Sequence, residues 1–289
     1  MPPLFKNRPA ADAFSNSLRT THIGKQIVFH ERTDSTNDLA LQAARAGAPH
    51  GKVFIADLQA AGRGRRGRSW QSPPGLGLLF SVLIRLEDIH AEPADSGWIP
   101  LSAGLAVAAG IDSILPLRPA LKWPNDLVIP CSEPPGWRKL GGILCESVLQ
   151  PGDANPGSGF VVIGIGINVN HTAPDLPETE KAPPTSIRLE TGQSAERLEV
   201  LAAILEQLEI HLSALSDPAK CSDLKQRVED ELHRWWTAER QLTVSLGGGR
   251  VPVCGRFAGL DRYGRLRLEV ADQTIELADG EILAVIDGC

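Results

Sequence analysis

Apolar positions fall into short blocks along the first 240 residues, each bounded by polar or turn-forming residues. Residues 27–29 and 53–56 read as short strands, and 76–84 as a longer apolar, β-capable run. Between the first two, Ser35 stands at an N-cap position with Asp38 three residues on. Leu39, Ala43 and Ala44 follow at helical spacing, and Gly47 ends the helix. Residues 96–114 give the Ala-rich pattern of a buried helix, stopped by Pro116 and Pro119. Strands are predicted at 121–123 and 127–129 around a Pro-Asn-Asp turn, and at 140–149 after a Pro/Gly loop. Another follows at 160–169, where Gly164 and Gly166 permit close backbone approach. A second Pro-rich loop covers 171–184, and helical periodicity returns at 198–215 and 224–236. From Gln241 the spacing shortens: alternating runs at 242–246, 251–257, 265–270 and 273–277, separated by tight turns, predict a small all-β barrel. The first 24 residues, rich in Pro, Asn, Ser and Ala, read as a poorly ordered arm.

Composition narrows the class. The 289 residues carry a formal net charge of −6, with 42% hydrophobic and 22% charged residues of mixed sign. That excludes global disorder and binding of nucleic acid by bulk charge. No apolar run reaches the roughly 20 residues that span a bilayer, and no secretory signal is visible. The five cysteines are scattered, without a CxxC or Cys/His cluster, so neither a disulfide framework nor a structural zinc site is expected. The expectation is a soluble, reduced, cytoplasmic α/β or α+β protein.

Candidate chemistry concentrates in Gly62-Arg63-Gly64-Arg65-Arg66-Gly67-Arg68-Ser69-Trp70: four arginines within nine residues of a net acidic chain. Unit charges about 4 Å apart repel by roughly 4 kcal/mol at a protein surface. Such a loop is expected to stay open until an anion closes it. Its glycines let backbone N–H groups aim at phosphate, and its arginines offer planar bidentate donors for carboxylate or phosphate. A solvated basic turn, or an arginine-rich patch for RNA, would show the same run. Three further motifs follow in order: Lys122-Trp123-Pro124-Asn125-Asp126, Arg138-Lys139-Leu140-Gly141-Gly142-Ile143, and Gly164-Ile165-Gly166-Ile167-Asn168-Val169-Asn170. Singly, each has a bland explanation as a turn, a strand end or strand packing. Their joint occurrence shifts the balance.

Together with Ser35-Thr36-Asn37 and Gln59, these motifs make the chain resemble biotin protein ligases from about Val28 to the C-terminus. The resemblance implies an α+β catalytic domain at 25–238, a mixed sheet flanked by helices as in class II aminoacyl-tRNA synthetases and lipoate ligases. An SH3-like β-barrel at 239–289 would follow it. It implies coupling of biotin to ATP, with Mg²⁺, to give biotinyl-5′-adenylate and pyrophosphate, then transfer of biotin to one lysine of a carboxylase's biotin carrier domain. Ser35, Thr36, Asn37 and Gln59 would face the ureido end of biotin. Gly62, Arg63, Gly64 and Arg65 would line the loop over biotin and the adenylate phosphate, with Arg68 and Trp70 on the nucleotide side. Lys139 would touch the reacting carboxylate and α-phosphate. Lys122, Asn125 and Asp126 would organise the phosphates and the arginine loop, with Lys139, Arg65, Arg68 and Asp126 forming the catalytic set. Gly142 and Gly164 would give backbone access beside the biotin bicycle, and Asn168 would lie near adenine and ribose. The Mg²⁺ ligands are left open, the ion leaning mainly on ATP phosphates.

Two departures stand out. Only about 26 residues precede the first strand, too few for the winged helix that makes some relatives DNA-binding repressors, so a ligase that does not bind DNA is expected. The Pro-Gly loop between Asp126 and Lys139 is long, which costs about 0.6 kcal/mol per doubling and leaves Lys139 its role while altering the surface offered to the carrier. Monomer and homodimer both remain open. Two other functions compete: a lipoate or octanoate ligase or transferase of the same fold, and a non-enzymatic RNA- or anion-binding protein.

Overall fold

The computed structural model describes residues 4, 8–89, 97–133, 136–149, 159–178, 182–234, 236 and 240–287. Its main sheet contains β1 (Ile27–Thr33), β2 (Val53–Gln59), β3 (Gly77–Arg85), β4 (Ala120–Lys122), β5 (Asp126–Pro130), β6 (Trp137–Leu149) and β7 (Gly159–Asn168). The spatial order is β1-β2-β3-β7-β6-β5-β4. Only β1 and β2 run parallel, joined through α2 (Thr36–Arg45); every other neighbouring pair is antiparallel. β3 and β7 occupy the middle and are buried along almost their whole length. That is why their sequences read as continuous apolar runs rather than alternating ones.

Helices cover both faces. On one, Ala40 and Ala44 of α2 sit against Phe54, Leu83, Phe160 and Val162. On the other lie α3 (Trp98–Ile114), α5 (Arg197–Ala214) and α6 (Pro218–His233), with the short α4 (Ile187–Thr191) leading into α5. α3 and α5 approach so closely that a Cβ at Gly110 would lie 2.9 Å from the Ile204 backbone. α6 starts earlier than its periodicity predicts, because Asp217 caps it by accepting from the N–H groups of Ala219 and Lys220.

Of the predicted N-terminal arm, residues 1–3 and 5–7 lie outside the described residues, and the remainder is not unstructured. Arg8–Ser17 forms α1, and Ala11, Ser15 and Leu18 are buried. Composition misleads here, whereas the spacing of Ala11, Phe14, Ser15 and Leu18 (i, i+3, i+4, i+7) is that of an amphipathic helix. The segment is also tied down by hydrogen bonds: Ser15 Oγ donates to Gly24 O at 2.6 Å, and Leu4 N–H to Asp57 at 3.0 Å.

The C-terminal unit is a five-stranded antiparallel sheet of β8 (Arg240–Ser245), β9 (Val253–Leu260), β10 (Leu266–Val270), β11 (Gln273–Leu277) and β12 (Glu281–Asp287), in the order β11-β10-β9-β8-β12. β12 is absent from the predicted strands; it pairs with β8, whose residues lie about 40 positions earlier. This sheet is pinned to the main one. Trp98 Nε1 donates to Arg262 O at 2.9 Å, Trp123 Nε1 to Gly264 O at 3.3 Å, and Leu260 N–H to Glu229 at 2.9 Å. The turn before β12 lies over the β4–β5 turn, where a Cβ on Gly280 would stand 3.1 Å from the Trp123 ring. No helix among the described residues is long and apolar enough to cross a membrane.

Candidate active site

Six distant stretches of chain converge on one cavity. It is lined by Ser35, Thr36, Asn37 and Gln59, by Arg63, Gly64, Arg65, Arg68 and Trp70, and by Lys122, Asn125, Asp126, Lys139, Gly142 and Gly164. Of the residues predicted from the sequence, Gly62 and Asn168 stand outside that lining. Gly62 closes the base of the arginine loop, its carbonyl accepting from Trp70 N–H at 2.8 Å. Asn168 lines an adjoining cleft of about 700 Å³ together with Trp70, Lys139, Pro177 and Pro184, and its amide donates to Thr185 O at 2.9 Å.

The neutral end is a cluster of amides and hydroxyls. Ser35 is the N-cap of α2 by position, yet its side chain makes no capping bond. Thr36 N–H donates to Gln59 Oε1 at 2.7 Å, and Asn37 Nδ2 to Glu146 at 2.8 Å and Leu144 O at 3.2 Å. Two glycines of β7 make room. A side chain on Gly164 would run into the Asn37 amide, and a Cβ on Gly166 would lie 2.7 Å from the Trp70 indole.

The charged end is different. Arg65–Gly67 is a single 3₁₀ turn, with Arg66 and Gly67 both in the left-handed region at φ 58° and 72°. The repulsion expected to hold the loop open is answered by carboxylates within the protein. Arg63 pairs with Asp38 at 2.6 Å and Glu146 at 2.7 Å. Arg66 meets Asp279 at 2.8 Å, Arg65 is bonded to the same carboxylate, and Arg68 pairs with Glu281. Arg65 also donates to Asn125 Oδ1 at 3.2 Å. Burial lowers the pKa of Arg65, while the bond to Glu281 raises that of Arg68. The loop is thus closed onto the turn before β12 by two acids that the sequence gives no reason to place there.

Beside the loop, Asp126 lies between two lysines: Lys139 Nζ is 2.5 Å from Oδ1 and Lys122 Nζ 3.5 Å from Oδ2. Burial alone would raise the Asp126 carboxyl, but Lys139 and Lys122 outweigh it and hold it below the usual carboxylate range. Lys122 is buried, which lowers its pKa despite Asp126. Lys139 also stands 5.8 Å over the Trp70 ring, and its backbone is paired to the Pro-rich loop through Pro183 O and Thr185 N–H, both at 2.8 Å. Two lysines share the single Asp126 carboxylate, which leaves a surplus of positive charge there suited to a bound anion. Cys145 lines a second cleft of about 720 Å³ behind the arginine loop, and burial pushes its thiol up to about 12. No thiolate nucleophile is therefore available from that wall at neutral pH.

Ser81, Glu146, Asp279 and Glu281 are not among the site residues that the sequence predicts. Ser81 is a polar interruption in an apolar strand, a signal that was available. Nothing in the sequence marks the three acids as partners of the site.

Comparison with known proteins accords with this geometry. A family model described as "Biotin/lipoate A/B protein ligase family" matches residues 29–168. The chain is 33% identical over 288 residues to a biotin–[acetyl-CoA-carboxylase] ligase of Mycobacterium tuberculosis, covering 96% of both chains. It is 35% identical over 188 residues to the bifunctional ligase/repressor BirA of Bacillus subtilis, a match covering 65% of this chain and 54% of that one. Its fold superposes on the biotin protein ligase of Aquifex aeolicus in complex with biotin and ATP with a TM-score of 0.69. That superposition has 26% identity and covers 91% of this chain and 100% of the other.

Proposed function

The chain belongs to the biotin protein ligase family and is a ligase, and on that premise we propose how its own residues carry the reaction. Biotin lies with its ureido ring among Ser35, Thr36, Asn37 and Gln59 and its carboxylate near Lys139, while ATP occupies the cleft beyond Trp70. A biotin carboxylate oxygen attacks the α-phosphorus, a new P–O bond forms, and pyrophosphate leaves. The amine of a carrier-domain lysine then attacks the acyl carbon, AMP leaves, and the amine loses a proton to solvent.

The observation that carries this reading is the juxtaposition in one cavity of a neutral amide–hydroxyl end with a cationic end of Lys122, Lys139 and the arginine loop. A neutral ring joined to a reacting anion needs that division. Both steps bring anions together or develop charge, so positioning and charge neutralisation dominate catalysis. Mg²⁺ would arrive on the ATP phosphates with several of its own waters, where it neutralises phosphate charge. The donor set agrees with that, since no group of three His, Cys, Asp or Glu among the described residues could hold an ion, and Asp126 is already engaged by two lysines. The free cysteines fit a reduced, cytoplasmic enzyme.

The test is incubation with biotin, MgATP and a biotin carrier domain. One biotin should be found on one carrier lysine, dependent on ATP. Acylation by lipoate or octanoate in its place, or no modification at all, contradicts the proposal.

A further inference from the structure

We infer that Ser81, on the central strand β3 and outside the cavity lining, is a positioning residue that fixes which atoms the cavity floor offers to the ureido ring as donors and as acceptors. The inference rests on reading the cavity as the site of biotin. Ser81 is fully buried and opposes Gly164 in the β3–β7 register. Its hydroxyl lies 2.6 Å from Asn37 Oδ1 and 2.7 Å from Thr36 Oγ1. Thr36 Oγ1 is in turn 3.0 Å from Gln59 Oε1.

Proton counting sets the polarity of this chain. Asn37 Nδ2 faces two acceptors, Leu144 O and Glu146, so Oδ1 is the atom turned to Ser81. Gln59 Oε1 receives the Thr36 N–H, which fixes that amide too. Three oxygen–oxygen contacts remain, served by two hydroxyl protons. The buried Asn37 oxygen depends on Ser81, and an acceptor left unmade there is costly. Ser81 therefore donates to Asn37. Thr36 must donate to Ser81, because otherwise two oxygens would face each other at 2.7 Å with no proton between them. The 3.0 Å contact is the one that goes without, since its Gln59 oxygen is already served.

The consequence reaches the ligand. With its proton turned back to Ser81, Thr36 Oγ1 offers only lone pairs to the cavity. With its oxygen used on Thr36 N–H, Gln59 offers its amide nitrogen as a donor. An acceptor beside a donor matches a cyclic urea, whose N–H donates and whose carbonyl accepts. Removing the Ser81 hydroxyl frees the Thr36 proton to turn to Gln59 Oε1, 3.0 Å away, or toward the ligand N–H, donor against donor, so the polarity of Thr36 is no longer fixed.

The experiment compares wild type, Ser81→Ala and Ser81→Cys in biotin-dependent pyrophosphate release, alongside Thr36→Val and the Ser81→Ala/Thr36→Val double variant. Thermal unfolding confirms that each is folded. In Ser81→Ala the KM for biotin should rise about 10- to 100-fold while the KM for ATP stays within twofold. Ser81→Cys, keeping a weak donor, should fall between. Once Thr36 is Val, Ser81→Ala should add less than threefold, because its effect runs through that hydroxyl. An unchanged KM for biotin, an equal rise in both KM values, or full additivity of the two substitutions overturns the inference. No biotin-dependent release by the wild type sinks the underlying reading instead.

Discussion

Lys139 is the side chain on which most of the chemistry converges: ion-paired to Asp126, poised over Trp70, and fixed through its backbone to the Pro183–Thr185 segment. A preorganised donor of this kind contributes about 3–4 kcal/mol to a transition state that gains charge. Lys139→Gln should lower kcat for biotin-dependent pyrophosphate release by about 10²- to 10³-fold. A loss of less than threefold would remove Lys139 from the reacting centre. Gly166 carries a second prediction at this scale. A Cβ there would push the Trp70 ring away, so Gly166→Ala should raise the KM for ATP by about tenfold, equivalent to ~1.4 kcal/mol. An unchanged KM for ATP would mean that Trp70 does not shape the nucleotide side. The residue types were legible in the sequence because spacing and charge made them stand out. Ser81 shows in the sequence as a polar break in an apolar run, but the hydroxyl and amide it meets do not.

The arginine loop is legible as an element, and its closure is not. Its composition announces an anion site, but the acids that hold it come from a turn 213 residues further along the chain. Nothing local in Asp279-Gly280-Glu281 encodes that contact, and β12, which places the turn, depends on pairing with β8 rather than on its own alternation. Because Arg65, Arg66 and Arg68 are held by Asp279 and Glu281, the double variant Asp279→Asn/Glu281→Gln should release the loop. Limited trypsin digestion at Arg65–Arg68 should then run several-fold faster than in the wild type, and a biotinyl-adenylate analogue should slow it in both. Equal cleavage with and without the substitutions would show that the carboxylates do not hold the loop. α1 teaches the converse lesson: its composition suggested disorder, and the spacing of its buried side chains carried the signal.

The whole molecule joins a mixed sheet, whose loops form the cavity, to a small β unit hydrogen-bonded through Trp98, Trp123 and Glu229. The mixed-sheet architecture could be reached from the motifs in the sequence. The contact between the two units could not, because it rests on tertiary hydrogen bonds between side chains and backbone groups of the small unit. Stability at this scale has a pH signature. His171 is fully buried, with Nε2 2.9 Å from Ser72 Oγ, and burial lowers its pKa to about 4. Below about pH 6.5 the unfolded chain takes up a proton that the folded chain refuses until near pH 4. Stability therefore falls as the pH drops through that window, by about 2 kcal/mol between pH 7 and pH 5. Urea unfolding should show that loss, and His171→Asn should flatten it; an identical pH slope in the variant would clear His171 of the effect.

The central claim is that this cavity joins a biotin carboxylate to the α-phosphorus of ATP, and isotope exchange tests it without any carrier protein. With biotin, MgATP and labelled pyrophosphate, label should enter ATP only when biotin is present, and Lys139→Gln should abolish most of that exchange. Exchange independent of biotin, or none under any condition, would contradict the account.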